Sequence, residues 1–239
     1  MQNWAERLKD YLSGGGAVFF GGAGVSTESG IPDFRGKDGL YNQKYKFPPE
    51  RMLSRTFFNE NTKDFYDFYR EKMIFPDVRP NKAHFKLAEL EKAGGLNAVI
   101  TQNIDGLHQK AGSVNVVELH GSVHRNLCME CGAAHDIGAV INAAGVPRCE
   151  CGGVIKPDVV LYEEQLDYNV TIKAKRLISE ADVLIVGGTS LAVYPAAGFI
   201  DYYTGGKLVL INKSETPYDG KADLVIRESI GEVLASVIP

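Results

Sequence analysis

A doubly wound parallel α/β fold follows from three features: six short apolar runs, helix-period stretches between several of them, and small or polar residues where each run ends. The runs are Ala17–Phe20, Asn97–Ile100, Val116–Leu119, Val183–Val186, Leu208–Ile211 and Leu224–Ile226. They are apolar throughout rather than alternating, the pattern of strands buried on both faces. The residues that follow them read GGAG, TQNID, HGS, GGTS, NKS and RES. Ligands of open α/β sheets bind beyond the carboxyl ends of the strands, so these tails are expected to converge on one crevice. One polar strand end is an ordinary solvated loop. Six in succession argue against that ordinary reading.

At the amino end, Met1–Leu12 carries Trp4, Leu8, Tyr11 and Leu12 on one face of an amphipathic helix. The first strand then runs into Gly21–Arg35, GGAGVSTESGIPDFR. Gly22-Ala23-Gly24 permits a sharp turn that presents backbone N–H groups to an anion. Ser26, Thr27 and Glu28 read as the first turn of a helix, where free N–H groups favour phosphate. Ile31–Arg35 closes the stretch with a stiff proline, a ring and a guanidinium. A nucleotide site is the expectation. The nicotinamide dehydrogenase fingerprint fits poorly, because Thr27 stands where G-x-G-x-x-G needs its third glycine. That fingerprint also needs an acidic residue ending a second strand, and GKDGLYNQKYKFPPE has no strand pattern. Dinucleotide binding is retained, and hydride transfer loses ground.

Further along, Lys82–Ala93 places Ala83, Leu87 and Leu90 on one helical face and stops at Gly94-Gly95. Asn169–Ala181 repeats the pattern with Val170, Ala174, Leu177 and Ile178. Two stretches fall outside the alternation. Gly36–Pro80 carries a helix with Phe65, Phe68, Tyr69 and Met73 in a stripe expected to be packing core. Ser122–Lys156 holds all four cysteines. Both are expected to form a smaller module beside the sheet.

The 239 residues are 44% hydrophobic and 23% charged, enough for a large globular core. A net charge of −4 excludes a general attraction for nucleic acid or anionic lipid. No charged-then-apolar leader opens the chain, and the stretch Val183–Ile200 is broken by Gly, Thr, Ser and Pro, so no membrane span is expected. Cys128-x-x-Cys131 and Cys149-x-Cys151 nearly match a zinc ribbon, the second pair being one residue short. Four thiolates fill a tetrahedral ion and leave no place for a reactive water, so the metal is expected to be structural. Clustered cysteines of this kind suit a cytoplasmic metal site better than a secreted disulfide framework.

The motifs GAGVS at Gly22–Ser26, GIPDFR at Gly30–Arg35, TQNIDGLH at Thr101–His108, HG at His120–Gly121, the cysteine pairs and GTS at Gly188–Ser190 occur in an order that resembles the sirtuins. These are NAD-dependent protein lysine deacylases, and the resemblance spans roughly residues 8–237. It implies a Rossmann-like NAD-binding domain (1–35, 81–121 and 157–239) and a small helical, zinc-binding domain (36–80 and 122–156). It further implies that an acyl-lysine carbonyl oxygen attacks the ribose carbon bearing nicotinamide, and that the acyl group ends on ADP-ribose. His120 resembles the family's catalytic base, and Asn103 and Asp105 its polar pair for nicotinamide. Ile104 and Phe34 would be apolar walls. Gln102 and Arg35 would hold ribose and phosphate, with Ala23 and Thr27 beside the diphosphate. Thr189, Ser190 and Asn212 would line the adenosine side, and Ile230 would lie against adenine. Zinc would sit on Cys128, Cys131, Cys149 and Cys151.

Val160, Tyr162 and Val193 match positions that bind an acetyl-lysine protein or peptide as an added strand. Glu163 departs from the glycine usual there. Members that take acidic acyl groups carry Tyr-x-x-Arg; this chain has Tyr66-x-x-Tyr69 with Arg70 one residue late, about 100° around a helix. An acetyl preference is therefore expected. His108 is expected to be a hydrogen-bonded structural residue, and Asp33, a catalytic residue or a local cap, is expected to be the cap; His84, His124 and His135 could ligate metal, but four thiolates already suffice. Protein mono-ADP-ribosyl transfer and a broader-range deacylase are the alternatives.

Overall fold

A computed structural model describes residues 4–34, 36 and 39–237. Six parallel strands make the main sheet: β1 (Ala17–Gly21), β2 (Leu96–Thr101), β3 (Val116–Glu118), β7 (Val183–Gly187), β8 (Leu208–Ile211) and β9 (Leu224–Ile226), in spatial order β3-β2-β1-β7-β8-β9. All six apolar runs are strands within a residue of their expected ends. Side-chain alternation explains why they read as continuous. Ala17 and Phe19 enter one apolar core with Leu8 and Leu12 of α1 (Trp4–Ser13), Leu87 of α5 (Lys82–Lys92) and Val233 of α9 (Ile230–Val237). Val18 and Phe20 enter the opposite core with Ala174 and Ile178 of α8 (Tyr168–Ser179). Both faces are dry, so neither register of the strand tolerates a polar side chain.

The strand order reverses at β1, whose two neighbours are β2 and β7. The crevice at that switch point is where an open α/β sheet presents its ligand site. The chain between β1 and α5 builds α2 (Pro49–Met52), α3 (Arg55–Glu60) and α4 (Thr62–Met73). The second insertion contributes a three-stranded antiparallel sheet of β5 (Ala134–His135), β4 (Gly121–Cys128) and β6 (Ile155–Val159), with α7 (Gly138–Ile141). The aromatic stripe is core, as expected: Phe65, Tyr66, Phe68 and Tyr69 pack with Val123, Val140, Val159 and Leu161 in a third cluster that joins the two insertions. The boundary expected between residues 156 and 157 falls inside strand β6.

Candidate active site

Two glycine turns meet at the switch point. The Gly24 N–H donates to Gly188 O at 2.8 Å, and the Gly22 N–H to Gly187 O at 3.4 Å. A Cβ on Gly24 would lie 2.8 Å from the Gly188 Cα, and one on Gly188 would lie 2.4 Å from the Val25 nitrogen. The glycines are therefore required first by this close approach of backbone to backbone. This corrects the expectation that both present their N–H groups to an anion; of the three residues, Ala23 keeps an N–H without a partner among those described. The expected helical turn at Ser26–Glu28 is also different. Ala23–Val25 and Thr27–Ser29 are two successive 3-10 turns, ended by Gly30 at φ +93°. Thr27 spends its hydroxyl on Gly24 O at 2.9 Å.

After β2, the chain places three polar side chains beside this turn. Ser26 Oγ donates to Asp105 Oδ2 at 2.6 Å and accepts from Asn103 Nδ2 at 3.0 Å. The Leu107 N–H, at the start of α6 (Leu107–Ala111), holds the other Asp105 oxygen at 2.9 Å. Burial pushes the Asp105 carboxyl above its usual range, while the Ser26 and Leu107 bonds pull against that rise. Gln102 reaches from the same strand end to Thr189 Oγ1 at 3.2 Å, joining the β2 and β7 loops. Ile104 packs on the aromatic core of the small module, and its carbonyl accepts from the Val123 N–H at 3.0 Å.

His120 lies between β3 and β4. Its Nδ1 donates to Gln102 O at 2.9 Å, which fixes the proton there and leaves Nε2 with the free lone pair when the ring is neutral. Burial lowers its proton affinity; the Gln102 bond opposes this only in part. Its carbonyl accepts from the Val160 N–H at 3.0 Å, so His120 and the expected peptide segment share a backbone link. Gly121 follows at φ +75°, where a Cβ would fall 1.9 Å from Asp158 O. Only glycine fits between His120 and β6.

Phe34 sits edge-on to Tyr41 at 5.7 Å and against the small-module core. Tyr41 and Tyr162 bring their hydroxyls together, while Tyr162 pairs by backbone with Leu53 and Arg55. Val193 lies in the loop after β7, with its carbonyl accepting from Ala197 N–H at 2.8 Å, and Ser190 is exposed in the same loop. Asn212 at the end of β8 pairs with Ile226 O and Ser214 O. Ile230 starts α9, its Cδ1 filling the space a Cβ on Gly187 would need. Arg35 lies outside the described residues. Gln102, Asn103, Asp105, His120 and Thr189 are thus joined by hydrogen bonds at the strand ends. Ile230 lies against Gly187, and Ser190, Val193 and Asn212 follow β7 and β8 in the loops at the same sheet end.

Asp33 caps the Gly36 N–H at 2.6 Å, the local role expected of it. His108 differs from expectation: it is buried without a hydrogen bond to either nitrogen among the described residues, its ring 4.7 Å from that of His84. Sequence reasoning also passed over the bridging role of Ser26 and the whole of Asn81. Asn81 Nδ2 donates to Val25 O and Ser29 Oγ, while its Oδ1 caps α5, fastening the glycine turn to that helix. An asparagine before a helical run is readable as a cap; its second set of bonds is not.

The cysteines converge as expected. Their four Sγ atoms lie within 4.8 Å of one another, with Cys128–Cys151 at 3.5 Å and Cys131–Cys149 at 3.8 Å. Tetrahedral zinc with thiolates at about 2.3 Å requires sulfurs about 3.8 Å apart, so the set fits that ion. The shortened C-x-C pair does not prevent this. The Gly152 N–H bonds back to Cys149 O at 2.8 Å, with Gly152 itself at φ +88°, and that tight turn delivers both sulfurs.

A model of the Sir2 family matches residues 22–195. A Clostridium acetobutylicum protein named NAD-dependent protein deacetylase is 63% identical over 225 residues, 92% of each chain. A Clostridium perfringens protein of the same name is 57% identical and covers 100% of both. Among solved structures, a Sir2–p53 peptide–NAD+ complex has a TM-score of 0.86 at 40% identity, covering 97% of this chain and 96% of that one. A Sir2 complex with 2'-O-acetyl-ADP-ribose, deacetylated p53 peptide and the inhibitor EX-527 has a TM-score of 0.85 at 39% identity, with the same coverage. The chain belongs to the Sir2 family.

Proposed function

We propose that this protein is an NAD-dependent protein lysine deacetylase that transfers the acetyl group of acetyl-lysine to ADP-ribose and releases nicotinamide. The observation that carries the reading is His120, fixed through Nδ1 on Gln102 O with a free Nε2, at the rim of the crevice that holds Ser26, Asn103 and Asp105. Of the turn after β1, the Ala23 N–H is left without a partner among the described residues, and it is the group available to a diphosphate. NAD, when bound, supplies a ribose carbon whose bond to nicotinamide breaks under attack by the acetyl oxygen.

The chain's own residues bind, orient and move a proton. Ala23 and Thr27 flank the diphosphate, with Arg35 and Gln102 on phosphate and ribose. Thr189, Ser190, Asn212 and Ile230 line the adenosine end. Asn103 and the Asp105 carboxylate take the nicotinamide carboxamide, whose N–H groups need an acceptor. Phe34 and Ile104 exclude water from the breaking bond. His120 Nε2 takes a proton from a ribose hydroxyl, and its lowered proton affinity keeps it in the basic form at neutral pH. Val160, Tyr162 and Val193 flank an extended acetyl-lysine peptide. Zinc on Cys128, Cys131, Cys149 and Cys151 is structural, with no open position for chemistry.

Among the described residues no helix is long and apolar enough to cross a membrane, and the thiol cluster suits a reducing cytoplasm. Partners are acetyl-lysine proteins or peptides rather than nucleic acid or lipid. Replacing His120 with Tyr is expected to abolish deacetylation while NAD still binds; retained turnover would remove His120 as the base.

A further inference from the structure

The segment Val160–Tyr162 has to be stiff if a peptide is to pair with it, yet it follows the end of β6 and belongs to no strand itself. Backbone bonds hold its two ends, Val160 on His120 O and Tyr162 on Leu53 and Arg55, and one carboxylate holds its middle. Glu164 Oε2 accepts from the Leu161 N–H at 2.8 Å and from Lys156 Nζ at 3.2 Å, and Oε1 accepts from Arg55 NH1 at 2.9 Å. The Glu164 N–H returns a bond to Leu161 O at 3.0 Å, closing a reciprocal pair on that residue. Lys156 also donates to Pro157 O and Val159 O at 3.2 and 3.0 Å. The Lys156 and Glu164 side chains are 15% and 19% exposed, so these bonds are largely shielded from competing water.

Three pieces of backbone are thereby tied together: β6, the 160–162 segment and the start of α3. Glu163 adds a second fastening, its Oε2 accepting from the Thr56 N–H at 2.9 Å. It does so from the left-handed region at φ +75°, which a non-glycine residue enters at a cost and which turns the chain so that Glu164 folds back. Consecutive carboxylates thus grip consecutive residues, Arg55 and Thr56. The frame meets His120 only at its backbone carbonyl, through the Val160 N–H; the His120 ring is held separately, by Gln102 O.

We propose that Glu164 is a positioning residue for the peptide substrate, holding the 160–162 segment in one frame with β6 and α3 through Leu161, Lys156 and Arg55. The proposal rests on the deacetylase reading. None of Glu164's partners belongs to the glycine turns, the β2 loop or the β7 loop, so NAD handling is independent of it.

The test titrates an acetyl-lysine peptide and NAD separately onto Glu164→Ala, Glu164→Gln and Lys156→Met, and measures the KM for each substrate. Glu164→Ala is expected to weaken peptide Kd and raise peptide KM about ten-fold, with Glu164→Gln intermediate because its amide oxygen still accepts. Lys156→Met is expected to raise peptide KM about three-fold, with NAD Kd and KM within about two-fold in all three. Peptide Kd and KM within about two-fold of wild type, or a parallel rise for NAD, overturns the role of Glu164. Should Glu164→Ala not fold, the same criteria apply to the other two variants. Wild-type protein that turns over the same peptide with NAD upholds the underlying function whichever way the variants fall. Wild-type protein that neither binds the peptide nor consumes NAD overturns both.

Discussion

The Ser26 hydroxyl donates to the Asp105 carboxylate at 2.6 Å, linking the turn after β1 to the loop after β2 inside a largely buried site. The contact opposes burial, which raises the Asp105 carboxyl above its usual range, since a donor favours the charged form. Asn103, donating to the same hydroxyl, is held by the second half of the bridge.

Removing that bridge gives the first prediction. Ser26→Ala leaves both Asp105 and Asn103 short of a partner, a loss of about 1.5–3 kcal/mol for a charge-assisted bond. The expected result is about a 10- to 100-fold fall in kcat/KM for NAD with peptide Kd unchanged. Steady-state kinetics with NAD varied checks this, and an unchanged kcat/KM would contradict the bridge.

The buried pair His84 and His108 predicts acid sensitivity of the fold. Burial holds His84 at about 4, and burial together with the His84 charge holds His108 at about 3, against an ordinary 6.5. Both are neutral in the fold, so their contribution is complete above the unfolded value of 6.5. It is lost as pH falls from there toward 4, because the unfolded chain takes up protons that the folded one refuses. Between pH 7.5 and 5.5 the pair should cost on the order of 2 kcal/mol, read from urea midpoints at the two pH values. Equal midpoints would contradict it, and His108→Phe should shrink the difference.

Acyl choice follows from Arg70. Its guanidinium is committed to Val140 O at 2.8 Å and to Gly145 O, on α7 and the loop beyond. Tyr69, at the position where a cation would be needed, is buried against Phe65. Acetyl-lysine should therefore be preferred to succinyl-lysine by at least about ten-fold in kcat/KM on matched peptides. Faster desuccinylation would refute the assignment.

The thiolate cluster predicts one zinc per chain. Removing it should release the small sheet, where the C-x-x-C turn closes β4 and the C-x-C turn lies a few residues before β6, while the main sheet keeps two cores of its own. Hydrogen exchange after chelation should rise across residues 121–159 and little in β1 or β7. Less than about half an equivalent of zinc in protein as purified would count against the site.

The sheet was legible because strands dry on both faces write unbroken apolar runs, and Val183–Val186 leaves no other reading. The helices of the first insertion were legible only as one aromatic stripe, since α2 and α3 are too short to show a period. The glycine turn was visible but its cause was not: Gly24 answers to Gly188, a residue far away in sequence. His108 misled for the same reason. Its neighbour His84 comes from another helix, and no local pattern reports that a ring will be buried without a partner. Ser26, Asn81 and Glu164 act through bonds between distant segments, which the motifs containing or flanking them do not encode.

The most direct measurement incubates the protein with NAD and an acetyl-lysine peptide and weighs every product by mass spectrometry. Equal amounts of deacetylated peptide, nicotinamide and O-acetyl-ADP-ribose are predicted. Acetyl loss without NAD, or nicotinamide release with ADP-ribose left on protein and the peptide still acetylated, would contradict the account.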